Sequence, residues 1–180
     1  MPGRRDGVRE EMNRETETFL SSALFRKRIL FLTLTLLVMG TIFWFSAQPA
    51  TESQAISDGF LAWILEGGVP LLSALAKAGV FQWLSIRKCA HAGIYLVLGF
   101  CAAMTAGTWE EQGNRKFLAA WLFCVLYAGS DEWHQFFVPG RSCEWRDVGI
   151  DACGALAGVL LATGLCAFRN KKQERGGQRV

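Results

Sequence analysis

Four stretches of the chain are apolar enough to predict long helices, and polar segments separate them. Ile29–Phe45 (ILFLTLTLLVMGTIFWF) is an uninterrupted uncharged run. Extended slightly at each end, it would cross a hydrocarbon core of roughly 30 Å at about 1.5 Å per residue. Cys89–Ala106 is the second stretch, with His91, Tyr95 and Gly99 inside it. Phe117–Gly129 is the third, and it reaches full length only if its helix continues through residues 130–135 (SDEWHQ). Val148–Phe168 is the fourth, with Asp151 near its start. Within it, Gly154 and Gly158 form a small-xxx-small step that would let another helix approach closely, although a segment this rich in Gly and Ala also yields such a step by chance. The pattern predicts an all-α integral membrane bundle of four transmembrane helices. A cleaved signal peptide is the rival reading of Ile29–Phe45, but its polar lead is long and Phe45 disrupts the small-x-small pattern in Phe-Ser-Ala.

The loop Ala47–Lys88 between the first two stretches is long without being hydrophilic. Phe60, Leu61, Ile64 and Leu65 form one apolar patch, Leu71, Leu72, Leu75 and Val80 another, with Gly67, Gly68 and Pro70 between them. Two short amphipathic helices on the membrane surface, or a re-entrant segment, would follow from that pattern and would roof one end of the bundle.

Charge adds direction to this picture. Hydrophobic residues make up 51% of the 180, diluted by a basic tail over residues 1–28 and another over 169–180, which leaves 29–168 as the transmembrane domain. Neither tail holds enough apolar surface to fold alone, so both read as mobile or interfacial. The net charge of +3 sits in these tails beside apolar spans, which points to anionic lipid rather than nucleic acid as a partner. Four spans put both termini on one side of the membrane. With the tails inside, the inner side carries fourteen Lys and Arg, against Lys77, Arg87, Lys88, Arg141 and Arg146 outside. The positive-inside rule therefore makes both termini cytoplasmic.

With that topology, polar residues from four parts of the chain fall at one depth, near the outer boundary. Gln48 and Pro49 follow the first span, and Arg87, Lys88 and His91 open the second. Asp131, Glu132, His134 and Gln135 close the third, while Arg141, Asp147 and Asp151 precede or open the fourth. Ionisable groups at a bilayer edge are costly, so this concentration marks the candidate site. The i,i+3 spacing of Asp131 and His134 would let them hydrogen-bond on a helix, and Asp147 and Asp151, like His91 and Tyr95, are one turn apart. Three readings follow. In the first, the cations only neutralise the acids and fix helix ends. In the second, Arg87, Lys88, His91, Tyr95, Asp131, Glu132, Gln135, Arg141, Asp147 and Asp151 line a site for a polar or anionic headgroup, with arginines as phosphate or carboxylate forks. In the third, His91 or His134 is a general base oriented by Asp131 or Asp147. No nucleophile stands out, which makes an enzyme the weaker reading. The sequence calls for no cofactor and no metal, since His91 and His134 lack the one-turn ligand spacing. Of the six cysteines, only Cys89 and Cys143 lie near the outer face, where an oxidising compartment would permit a disulfide between them.

An ordered set of motifs resembles the VanZ-like membrane proteins: FSAQP at Phe45–Pro49, RKCAH at Arg87–His91 with Tyr95, SDEWHQFFVPGR at Ser130–Arg141, and Asp147 and Asp151 followed by Gly154. The resemblance covers roughly residues 30–168. It departs from the family pattern at two positions: Ile94 stands where a glutamate is common, and Asp151 stands where the pattern has asparagine. The resemblance implies a multi-pass protein of the bacterial plasma membrane with a role in the cell envelope; in the headgroup reading of the charged cluster, the ligand would be a membrane lipid or lipid-linked envelope precursor. The namesake of the family is associated with reduced susceptibility to the glycopeptide teicoplanin, and the resemblance links this chain to that property only through the family.

Overall fold

The computed structural model describes residues 3–66, 70, 74, 86–109 and 115–177, and among these there is helix and no strand. The elements are α1 (Gly3–Ser46), α2 (Ala50–Leu65), α3 (Ile86–Ala106), α4 (Arg115–Gln135) and α5 (Trp145–Gly177). Helix α3 is the hub, packed against all four others, and its longest seam is with α5.

Both tails continue as helix: α1 runs unbroken from Gly3 and α5 on to Gly177. Their Glu, Arg, Lys and Gln residues are good helix formers, and an apolar helix already nucleated next door lets them propagate it. The first half of the long loop is one helix, α2, tied to the α4–α5 connection by the Ala50 N–H on the Pro139 carbonyl (3.4 Å). The patch Leu71, Leu72, Leu75 and Val80 lies outside the described residues, as do the side chains of Phe60, Leu61, Ile64 and Leu65.

The distribution of side chains is inverted relative to a protein folded in water. The buried core is small: Ala102, Ala120, Cys124, Ala128 and Ala155 surround Ile42, Tyr95 and Leu98, while Ala103, Val159 and Ala162 form a second cluster. The large apolar side chains face outward, among them Leu36, Leu37, Leu122, Leu160 and Leu161, and Leu126 at 76% exposure. In lipid, outward leucine costs nothing and helices pack through small residues, so this is the pattern a bilayer selects. Three helical segments are long and apolar enough to cross a membrane: Thr18–Ser46, Arg87–Ala106 and Trp145–Arg169. The expected fourth, α4, does continue through residues 130–135 as a helix, but its polar ends keep it from joining that set.

At the α3–α5 seam the backbones touch. A Cβ at Gly154 would overlap the Ala92 carbonyl, and one at Gly158 the Leu96 carbonyl. The small-xxx-small step therefore has a packing role. Gly99 answers it from α3, where a Cβ would overlap the Ala155 carbonyl. Side chains tie α4 to its neighbours: the Tyr127 hydroxyl donates to the Met39 carbonyl of α1 (2.7 Å), and Trp121 Nε1 to the Ala152 carbonyl of α5 (3.0 Å).

Candidate functional site

Polar side chains replace alanine at the end of the bundle where α1 and α4 finish and α3 and α5 begin. Arg87, Lys88 and His91 of α3, Glu132 and Gln135 of α4, and Asp147, Ile150 and Asp151 of α5 line one small cleft. Trp44, Phe45, Trp133, Phe136, Phe137 and Trp145 are all exposed around this end. Aromatic belts mark the interface between hydrocarbon and headgroups, so the cleft opens at that depth.

The start of α5 forms one wall. Lys88 Nζ donates to Glu144 Oε2 (3.1 Å) and to Asp147 Oδ1. Glu132 Oε2 accepts the Glu144 N–H (2.9 Å). Glu144 and Asp147 lie at the N-terminus of α5, and Glu132 reaches it from the last turn of α4; the helix dipole there favours negative charge. The hydrogen bond from Lys88 and its positive charge hold the Glu144 carboxyl below its ordinary pKa.

The opposite wall depends on a turn. The Arg141 N–H meets the Val138 carbonyl (3.1 Å), with Pro139 second and Gly140 third at φ 75°. This is the type II pattern, whose third residue needs the left-handed backbone that glycine adopts at no cost. The turn sends Arg141 back beneath α1. Its Nε donates to the Gln48 carbonyl (3.0 Å) and its Nη2 to the Phe45 carbonyl (2.9 Å), adding donors at the end of α1 and in the turn that follows it. Burial, and then the nearby Arg87, lower the pKa of this guanidinium, although arginine remains charged in proteins.

Arg141 Nη1 also donates to Gln135 Oε1 (2.9 Å), and Gln135 Nε2 donates to Asp131 Oδ2 (3.1 Å). Ser46 Oγ donates to the same oxygen (2.9 Å). Asp131 is thus oriented through one oxygen, while its buried Oδ1 has no partner among the described residues. Asp151 is 1% exposed, and neither of its oxygens has a hydrogen-bond partner among the described residues. His91 Nδ1 lies 3.7 Å from Asp151 Oδ2, too far for a hydrogen bond and near enough for charge pairing. His91, Asp131 and Asp151 each present a donor atom, all within 4.8 Å of one another. The fully buried Tyr95 hydroxyl has no partner either, and Asp131 and Asp151 lead its charged neighbours.

Two residues stand differently from their sequence expectation. His134 does not line the cleft: its ring stacks on Phe43 with centroids 4.6 Å apart. No hydrogen bond joins it to Asp131, whose partner on α4 is Gln135. Arg141 spends its fork on protein acceptors. Cys89 and Cys143 are both free, so no disulfide links α3 to the turn. Ser46 is the residue that sequence reasoning overlooked. Its only signal was membership of the Phe45–Pro49 motif, because a serine beside an apolar run looks inert until Asp131 is placed against it.

The VanZ/LLP1 family model matches residues 31–167, which takes in all four polar segments of the cleft. The chain belongs to the VanZ/LLP1 family. No curated protein and no solved structure matches it. Within this VanZ/LLP1 member, Ile94 packs against the apolar cluster around Tyr95 and Leu98, so the position where the family pattern carries a glutamate is part of the core here.

Proposed function

We propose that this VanZ/LLP1 protein spans a bacterial plasma membrane four times, with both termini cytoplasmic, and that its outer-face cleft binds the anionic headgroup of a membrane lipid or lipid-linked envelope precursor. The fourth span is α4. Leu118, Leu122 and Leu126 repeat every four residues along it and are all exposed, which suits a lipid-facing stripe. Its shortfall in hydropathy comes from Asp131, Glu132, His134 and Gln135, which close the helix at the cleft end.

Arg87 is the observation that carries the headgroup reading. It lines the cleft and has no hydrogen bond or ion pair among the described residues, whereas Lys88 is engaged by Glu144 and Asp147 and Arg141 by backbone carbonyls. An unspent guanidinium fork at the membrane interface matches the planar geometry of phosphate or carboxylate. Native mass spectrometry of protein extracted in mild detergent tests this. Wild type should carry anionic lipid, and Arg87→Gln should lose most of it at an unchanged melting temperature; identical lipid profiles would sink the proposal. Arg141→Ala is a poor probe of binding because it also uncaps α1.

One observation favours catalysis as the alternative. His91 and Asp151 lie 3.7 Å apart beside the cleft and resemble a base with its orienting acid. That moves the reading away from His134, and from Asp147, which Lys88 holds. Among the described residues, no serine or cysteine lines the cleft to act as nucleophile.

A further inference from the structure

The polar atoms without partners converge. Both oxygens of Asp151, Oδ1 of Asp131 and the Tyr95 hydroxyl are buried without a hydrogen bond among the described residues. Two carboxylates and a phenol left in this state by three different helices leave large desolvation costs unmatched, because each unsatisfied buried acceptor forfeits its water without replacement. Lys88 and Arg141 do not help, since their donors are directed to Glu144 and Asp147 and to the α1 carbonyls and Gln135. His91 alone approaches, and at 3.7 Å it makes no hydrogen bond. A single cation between His91 and the two carboxylates would compensate both acids together.

We infer that His91, Asp131 and Asp151 bind a divalent cation of the zinc or manganese class. One imidazole with two carboxylates is a donor set suited to these ions. Neighbouring ligands on a tetrahedral ion sit roughly 3.3–3.6 Å apart for bonds of about 2.0–2.2 Å. The 3.7 Å separation of His91 and Asp151, and the 4.8 Å limit enclosing all three donors, need only a small inward shift of side chains. The surroundings resemble a supporting shell: Ser46 and Gln135 hold one oxygen of Asp131 and leave the other for a metal. Three protein ligands leave a further coordination position for water or a ligand oxygen, and His91 and Asp151 line the cleft from which it would be reached. This inference stands apart from the headgroup reading, since metal content and lipid content are measured separately.

The test uses full-length protein carrying an affinity tag without histidine, stripped with EDTA in detergent and equilibrated with zinc chloride or manganese chloride. Elemental analysis should find close to one equivalent of one of these ions on wild type, and added ion should raise the melting temperature by several degrees. Asp151→Asn, which keeps the side-chain shape, should weaken binding at least tenfold and abolish the thermal shift. His134→Gln, outside the cluster, should bind as wild type does. Should Asp151→Asn fail to fold, His91→Gln provides the same comparison. Wild type that takes up neither ion at tens of micromolar, or variants that bind as well as wild type, would overturn the site.

Discussion

The α3–α5 seam and the α1–α4 seam join helices in opposite ways. Along the first, Gly99, Gly154 and Gly158 bring backbone against backbone, and the polar pairs Lys88–Asp147 and His91–Asp151 lie at its cleft end. Along the second, at the cleft end, Ser46, Asp131, Gln135 and Arg141 form a chain of hydrogen bonds that ends on the last carbonyls of α1. A steric seam is specified by what is missing and tolerates nothing added. A polar seam is specified by partners, and an incomplete one leaves atoms available for other chemistry. The cleft lies where the two kinds of contact meet, with His91 and Asp151 from the first pair of helices and Asp131 from the second.

Three substitutions probe the contrast in the folded protein. Gly158→Leu should be the most damaging, destabilising the protein by about 3 kcal/mol or more in detergent unfolding, because its side chain meets the Leu96 and Phe100 backbone, which cannot yield. Gly93→Ala on the same helix pair meets nothing and should stay within about 1 kcal/mol of wild type. Equal effects at the two glycines would dismiss the steric account. Arg141→Ala should cost about 2–3 kcal/mol by removing the donor to the Gln48 carbonyl and to Gln135 and by leaving the Phe45 carbonyl with only the long Gln48 N–H contact. An unchanged melting temperature would mean that the polar seam is ornamental.

The smallest effect belongs to the exposed Lys88–Glu144 pair. The folded-state pKa of Glu144 lies below its ordinary 4.5. The pair's contribution is therefore fully present above that value and is lost as pH falls through the lowered folded value. The melting temperatures of wild type and Glu144→Gln should differ slightly at neutral pH and converge in acid, whereas a gap that widens in acid would reverse the assignment. Solvent exposure keeps such a pair weak.

The apolar runs made the helices legible in the sequence, and the depth argument brought together residues from four distant segments. Individual hydrogen-bond partners were not legible. Asp131 is three residues from His134 and four from Gln135, and the step of four, closer in angle along a helix, is the one that bonds, while His134 turns to Phe43 on α1. The role of Arg141 was hidden because its acceptors are backbone carbonyls, which every residue carries. The one-turn rule for histidine ligands looks along a single helix, whereas His91, Asp131 and Asp151 come from three. That the tails continue as helix was not legible either, because they were read as separate segments rather than as extensions of helices already begun.

The glycine contacts have a kinematic consequence. Helices in backbone contact along several turns move as one body, so His91 on α3 and Asp151 on α5 share a single frame of reference. Asp131 comes from α4, which packs on that pair through side chains such as Trp121, and it is positioned by Ser46 and, through Gln135, by Arg141. Any motion that opens or tightens this end of the bundle is therefore read out at one atom pair after another as the distance of Asp131 from a fixed couple, which makes α4 the lever of the site and the α3–α5 pair its fulcrum.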